Sequence, residues 1–157
     1  MPLSIHEYWM QFATRNCRTI DKSHKCEFCV GPNSLIMDCD KIKLVENSHE
    51  PINDCIAFEK TDLLYVAIVE IKGKSTNLEH TLTQLSTGEN IALRIIKDSH
   101  ITESYKMYKI IVAKSYPHSG ASLRRIKRKF LRTSNTPLIT VSCNDSFSNA
   151  RKKKLLG

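Results

Sequence analysis

The chain has no long hydrophobic run. None of its apolar stretches approaches the roughly 20 residues that a membrane-spanning helix needs. Its first residues, MPLSIHEYWMQF, also lack the basic start and following apolar segment of a secretory signal. We therefore expect no membrane association, and a cytoplasmic protein whose six cysteines are reduced.

Internal repeats and low-complexity linkers are missing as well. The chain has 157 residues, of which 41% are apolar and 25% are charged. This balance is typical of a globular protein, and the length is enough for one hydrophobic core. We expect a single domain over residues 1–157.

Acidic residues are nearly absent from the last quarter of the chain. Residues 120–157 contain ten Lys/Arg and one acid, Asp145, for a net charge of +9. Residues 1–119 contain 14 Lys/Arg and 15 Asp/Glu, for a net charge of −1. A basic C-terminal segment of this kind attracts polyanions, of which nucleic acid is the commonest. A solubilising tail is the alternative.

Hydrophobic periodicity predicts alternating helices and strands. Helical spacing covers residues 3–15, 77–97 and 119–132, and strand-like runs cover 54–60, 63–74, 105–115 and 137–143, with a short strand within 35–46 and a tail at 149–157. Strands separated by helices pair in parallel through right-handed crossovers, whereas two strands joined by a tight turn pair antiparallel. We therefore expect an α/β fold with a mixed central sheet flanked by helices.

The hairpin at residues 54–74 brings charged side chains together. If Lys60 pairs with Leu64, the register places Asp54 opposite Glu70, with Lys72 one step further on the same face. Opposed carboxylates about 5 Å apart repel each other unless a cation lies between them. A divalent metal with oxygen ligands would satisfy both. A solvated ion-pair cluster at a sheet edge is the alternative.

This arrangement resembles the PD-(D/E)xK nuclease superfamily, which includes resolvases and restriction endonucleases. The likeness rests on Asp54, a hairpin and the sequence Glu70-Ile71-Lys72, with PIND at 51–54 as a loosened Pro-Asp start, and it covers residues 50–143. It implies a restriction-endonuclease-like core in which Asp54, Glu70 and the Ile71 carbonyl hold Mg²⁺ (or Mn²⁺). It also implies that Lys72 orients or activates the attacking water.

The resemblance also points to secondary positions. Members of the superfamily often add an acid from the first helix, where Glu7 is the only candidate, with helix capping as its alternative role. His80 and Gln84 share the polar side of the following helix, where either a place near the site or a solvated surface is possible. Lys74 could contact a phosphate.

The basic helix predicted at 119–132 is the candidate nucleic-acid-binding element. Basic residues on it cover more than half of its circumference, so we expect several to contact the phosphate backbone together. The residues concerned are Arg124, Arg125, Lys127, Arg128, Lys129 and Arg132.

A cysteine-rich insertion is expected at residues 16–40. Four cysteines follow the spacing C-x8-C-x2-C-x9-C, and CEFC has the knuckle spacing of a tetrahedral zinc site. These are Cys17, Cys26, Cys29 and Cys39, and His24 could replace one of them. Structural Zn²⁺, an iron–sulfur cluster and plain thiols all remain open. Cys55 and Cys143 lie in predicted strands and are expected in the core.

Together these features favour a metal-dependent endonuclease that hydrolyses DNA. The size of the chain favours structure-selective cleavage, as a homodimer or as a subunit of a larger complex, over sequence-specific cutting. Two other classes compete with it: an inactive zinc-containing nucleic-acid-binding or regulatory module on the same fold, and a member directed at RNA or a small molecule.

Overall fold

A computed structural model describes residues 5–18, 26–46, 48–72, 78–113, 128 and 136–156. The helices in these ranges are α1 (Ile5–Phe12), α2 (Cys39–Glu46), α3 (Leu78–Asp98) and α4 (Phe147–Leu156). The strands are β1 (Cys17–Arg18), β2 (Glu27–Phe28), β3 (Leu35–Asp38), β4 (Cys55–Lys60), β5 (Leu64–Lys72), β6 (Tyr105–Ala113) and β7 (Leu138–Ser142).

The protein is an α/β structure built on a mixed five-stranded sheet. The strand order is β3-β4-β5-β6-β7. β3, β4 and β5 form an antiparallel meander, whereas β6 and β7 add in parallel to β5. The expected mixed sheet is therefore confirmed. β1 and β2 form a separate two-stranded sheet.

The central strand β5 is buried on both faces because its side chains are apolar on both sides from Val66 to Val69. One face of the sheet packs against α1, α2 and α3, with Phe12, Ile42 and Leu85 in the shared core. The other face is covered by α4 and the two-stranded sheet, which contribute Phe28 and Phe147. Both faces of the sheet are thus covered by other elements.

The hairpin of β4 and β5 has the predicted register. Lys60 pairs with Leu64, Ile56 with Ile68, and the ladder ends at the pair Cys55–Val69. The short turn at residues 61–63 sets this register, because the loop length fixes the pairing of a hairpin.

Two helices differ from the sequence prediction. α2 follows β3 directly, and its start is capped because the Asp38 side chain accepts a hydrogen bond from the Asp40 N–H at 2.9 Å. α4 occupies most of what was predicted as a tail. Its cap is Ser146, whose hydroxyl accepts from the Asn149 N–H at 3.1 Å, and its Phe147 is buried.

Disulfides tie the cysteine-rich segment to the main sheet. Cys17 is bonded to Cys55 and Cys26 to Cys143, with Cα–Cα distances of 5.9 and 5.0 Å. Cys29 is free and exposed. The expectation of six reduced thiols therefore does not fit the structure. Cys55 lies in the core, as expected, and Cys143 is partly buried against it, although both form disulfides.

The same pairing corrects the predicted zinc site at Cys17, Cys26, Cys29 and Cys39. Two of the four thiols are paired with Cys55 of β4 and with Cys143, which follows β7, and Cys39 is buried in the core on the other side of the sheet. The four therefore do not converge on one ion, and an iron–sulfur cluster would face the same obstacle.

None of the helices in the described ranges has both the length and the hydropathy that a membrane span requires.

Candidate active site at the end of the hairpin

Asp54 lies immediately before β4, next to the last residues of β5. Its backbone N–H donates to the Val69 carbonyl at 3.0 Å, which continues the ladder one step beyond the strand. Its Oδ2 accepts a hydrogen bond from the Ile71 N–H at 2.6 Å. The carboxylate is therefore held across the chain from Glu70, as the hairpin register predicts.

Glu70 is a buried acid with one satisfied and one unsatisfied oxygen. Its side chain is 5% exposed, and its Oε1 lies 3.2 Å from the Lys72 ammonium. Its Oε2 is buried and receives no hydrogen bond from a donor among the described residues, and its side chain is a hydrogen-bond neighbour of the Asp54 carboxyl when one of the two acids holds a proton. Leaving a buried carboxylate oxygen unpaired is costly, so such an atom needs an explanation.

Lys72 is positioned by the following helix. Its ammonium donates to Gln84 Oε1 at 3.0 Å, and the Gln84 amide donates in turn to the Ile52 carbonyl at 3.2 Å. This chain joins β5, α3 and the segment before Asp54. Gln84 therefore has the place near the site that was one of its two expected roles, whereas His80 lies exposed on α3.

Burial raises the pKa of both carboxyl groups. For Glu70, desolvation and the nearby charge of Asp54 outweigh the opposing effect of Lys72 and raise the pKa to about 8. For Asp54, desolvation outweighs the Ile71 N–H and the charge of Lys72, and raises the pKa to about 6. The pair therefore retains a proton near neutral pH, since two buried carboxylates at this spacing do not both ionise readily.

A tightly packed asparagine holds the segment that carries Asp54. Asn53 is 1% exposed, and its amide donates to the Cys55 and Val69 carbonyls at 2.6 and 3.2 Å. Gly88 of α3 lies directly against it, and an added Cβ there would overlap Asn53 Oδ1 and lie 2.7 Å from Ile68 Cγ2. The glycine that weakened the helix prediction is thus the point where α3 approaches the sheet.

The acid nearest to the pair from a helix is Asp40. It lies in the first turn of α2, where the neighbouring Cys39 N–H donates to the Asp54 carbonyl at 3.1 Å. The negative charge of Asp40 raises the pKa of Asp54. Glu7, the acid predicted from the first helix, is exposed on α1. Sequence reasoning missed Asp40 because it missed α2.

The two carboxylates fit a hard divalent cation. Among the described residues, no group of three or more His, Cys, Asp or Glu side chains converges on one point. Mg²⁺ commonly takes only one or two protein carboxylates, with water and substrate phosphate completing its octahedron. Glu70 Oε2, which receives no hydrogen bond from a described donor, and the Asp54 carboxylate beside it are oxygen ligands of this kind. The Ile71 carbonyl remains a predicted third ligand.

The predicted nucleic-acid-binding residues fall almost entirely outside the described ranges. The residues outside these ranges are Lys74, Arg124, Arg125, Lys127, Lys129 and Arg132. His24 of the cysteine segment also lies outside them. Arg128 is described, and it is helical and exposed.

Comparison of the chain with protein-family models, with curated proteins and with solved structures found no match. What the site can do must therefore be argued from its own geometry.

Proposed function

We propose that the protein is a metal-dependent nuclease that hydrolyses phosphodiester bonds, with DNA as its substrate. The observation that carries the proposal is the buried pair of carboxyl groups of Glu70 and Asp54, in which Glu70 Oε2 receives no hydrogen bond from a described donor, with the Lys72 ammonium 3.2 Å from Glu70 Oε1. A pair of acids with raised pKa values and an adjacent lysine is a common arrangement at functional sites.

Each residue has a distinct part in the proposed reaction. Asp54 and Glu70 would hold Mg²⁺ (or Mn²⁺), which supplies Lewis acidity at the scissile phosphate and lowers the pKa of a bound water. The Ile71 N–H keeps the Asp54 carboxylate turned towards Glu70. Lys72, held by Gln84, points its ammonium at the same place, where it can orient the attacking water or offset charge on the phosphate.

The substrate class follows from the charge distribution. The net charge of +9 over residues 120–157 favours a polyanion, and Arg128 adds an exposed guanidinium within that segment. Structure-selective cutting, as a homodimer or inside a larger complex, remains part of the proposal. An RNA substrate is the alternative that a parallel assay would reveal.

Cleavage assays with single-stranded, double-stranded and branched DNA test the proposal. Wild type should cut at least one of these in Mg²⁺ and none in the presence of a chelator. Asp54→Asn and Glu70→Gln should each lower the rate at least about 100-fold, because removing a ligand from a two-carboxylate site removes much of its metal affinity. Asp62→Asn, an exposed acid at the far end of the same hairpin, is the matched control and should cut like wild type.

Metal binding can be measured without turnover. Mg²⁺ or Mn²⁺ should raise the melting temperature of wild type and of Asp62→Asn, since a ligand of the native state stabilises it. The rise should vanish in Asp54→Asn. Wild-type activity in Asp54→Asn, or cleavage that persists in excess chelator, would refute the proposed metal chemistry.

A further inference from the structure

A cavity of about 320 Å³ lies in the groove between α2 and α3. Its walls come from the second half of α2, the segment that leads to Asp54 and the middle of α3. The residues that line it include Lys43, Glu50, Ile52, Asn90, Ile91 and Arg94. A volume of this size is at the lower end of the range of small-ligand sites.

The cavity begins beside the candidate active site. Ile52 lines it, and the carbonyl of the same residue accepts the hydrogen bond from Gln84 that holds Lys72 in place. Thr87, another lining residue, follows Gln84 by three positions, which is about 4.5 Å along the helix axis. Asn90 lies about 9 Å along from Gln84. The cavity therefore begins about 5 to 10 Å along α3 from the residue that holds Lys72, which is within the reach of a strand that extends a few nucleotides from the cleaved phosphate.

The groups in the cavity match both parts of a nucleotide. Ile52 and Ile91 provide apolar surface against which a flat base can pack. Asn90 is exposed, and its amide makes no hydrogen bond within the described part of the chain, so a donor and an acceptor are available to a base edge.

Cationic groups lie at the same cavity. Lys43 is half-buried, and no acid pairs with it among the described residues. Arg94 is paired with Glu46 of α2, which neutralises one acidic wall. Glu50 leaves one exposed carboxylate, which repels phosphate but accepts hydrogen bonds from the amino group of a base.

We infer that this cavity binds one unpaired nucleotide of the substrate strand, a few positions from the cleaved phosphate. The base lies over Ile52 and Ile91 with its edge at Asn90, and its phosphate lies at Lys43. The inference rests on the proposed nuclease function and narrows its substrate class to nucleic acid with unpaired nucleotides beside the cut. A base inside a duplex cannot enter, because it is stacked and paired.

Binding in metal-free buffer with a chelator tests the inference separately from catalysis. Fluorescent branched DNA with a single-stranded arm is the probe, and a series of otherwise identical probes carries one abasic position each along that arm. For wild type, one or two neighbouring abasic positions should weaken binding about tenfold, as loss of one stacked base does. Asn90→Ala should bind the intact probe about tenfold more weakly and be insensitive to the same abasic positions.

Control variants separate this effect from charge and folding. Lys43→Gln should also weaken binding of the intact probe, whereas Lys97→Gln, at an exposed lysine on the same helix, should not weaken it selectively. The inference is overturned if abasic positions affect wild type and Asn90→Ala equally, or if fully paired DNA binds as tightly as the branched probe. If the protein does not cleave DNA in Mg²⁺ but the abasic positions still weaken its binding, the nuclease function is refuted and the nucleotide-binding site stands.

Discussion

The Lys72 ammonium donates a hydrogen bond to Gln84 Oε1 at 3.0 Å, and this contact connects the end of β5 to α3. Lys72 also lies 3.2 Å from Glu70 Oε1, so its position is fixed from two directions. A lysine side chain has several rotatable bonds and is otherwise free to move. Gln84 is thus a positioning residue for Lys72, whose positive charge lowers the pKa of both acids.

Replacing Gln84 should therefore lower turnover more than substrate affinity. We expect Gln84→Leu to reduce kcat about 10- to 100-fold with little change in KM, because the lysine loses its orientation while the phosphate contacts remain. Gln84→Glu, which keeps an acceptor for Lys72, should recover part of the loss. Ser86→Ala, at an exposed position on the same helix, is the control. Equal activity in Gln84→Leu and wild type would show that the contact is dispensable.

Gly88→Ala should destabilise the protein although alanine favours helices. The helix gains about 1 kcal/mol in propensity, but the new Cβ overlaps Asn53 and presses on Ile68. Overpacking of this kind costs about 1–3 kcal/mol and would also displace the segment that carries Asp54. Urea unfolding should show the loss, and cleavage should fall with it. The double variant Gly88→Ala with Asn53→Ser should recover stability; no recovery would place the strain elsewhere.

The raised pKa values predict an unusual dependence of stability on pH. The pKa of Glu70 is about 8 in the folded protein against an ordinary value of 4.5, so the native state holds more protons than the unfolded state between these limits. The free energy of unfolding should therefore fall as pH rises through this window in metal-free buffer, by up to about 5 kcal/mol in total. Glu70→Gln should flatten the curve and be the more stable protein at pH 8.

Two measurements check this. Thermal or urea unfolding from pH 5 to pH 8.5 gives the curve, and Glu79→Gln, at an exposed acid, should follow wild type. A wild-type curve as flat as that of Glu70→Gln would contradict the raised pKa. Mg²⁺ should restore stability at high pH, because it favours the ionised carboxylates.

The disulfides predict the number of free thiols. Denatured, unreduced protein should show two reactive thiols, Cys29 and Cys39, rather than six. Cys17→Ser and Cys26→Ser should each lower the free energy of unfolding by about 2–5 kcal/mol, and a reducing agent should lower that of wild type. Cys29→Ser, at the exposed free thiol, should be neutral. Detection of six reactive thiols would contradict the disulfides and would agree with the reduced state expected from the sequence.

The sequence was informative where local pattern determines structure. The short turn before β5 predicted the register that brings Asp54 to Glu70, because the loop length fixes the pairing of a hairpin. α2 was not predicted because it is only eight residues long. Its buried residues are Cys39 and Ile42, and two apolar positions give a weak helical periodicity. Ser146 before Phe147 was a capping signal for α4 that a charge-based reading of the tail overlooked.

Cysteine pairing could not be predicted in the same way. Six cysteines allow fifteen complete pairings and further patterns when two thiols stay free, as here, and sequence spacing does not choose among them. Cys26 meets Cys143 across 117 positions of sequence only because α4 and β2 cover the same face of the sheet. The role of Gly88 was hidden for a related reason, since its need for space comes from Asn53, which is distant in sequence.

The hairpin that joins β4 to β5 has a consequence for the order of folding. Its contacts span few residues, so closing it costs little chain entropy, whereas the parallel pairing of β5 with β6 must wait for α3 to cross the sheet. The two acids should therefore meet early in folding, before Gln84 reaches Lys72. If the proposed site binds magnesium, the cation should bind this partly folded chain, and it should then accelerate folding as well as stabilise the folded state.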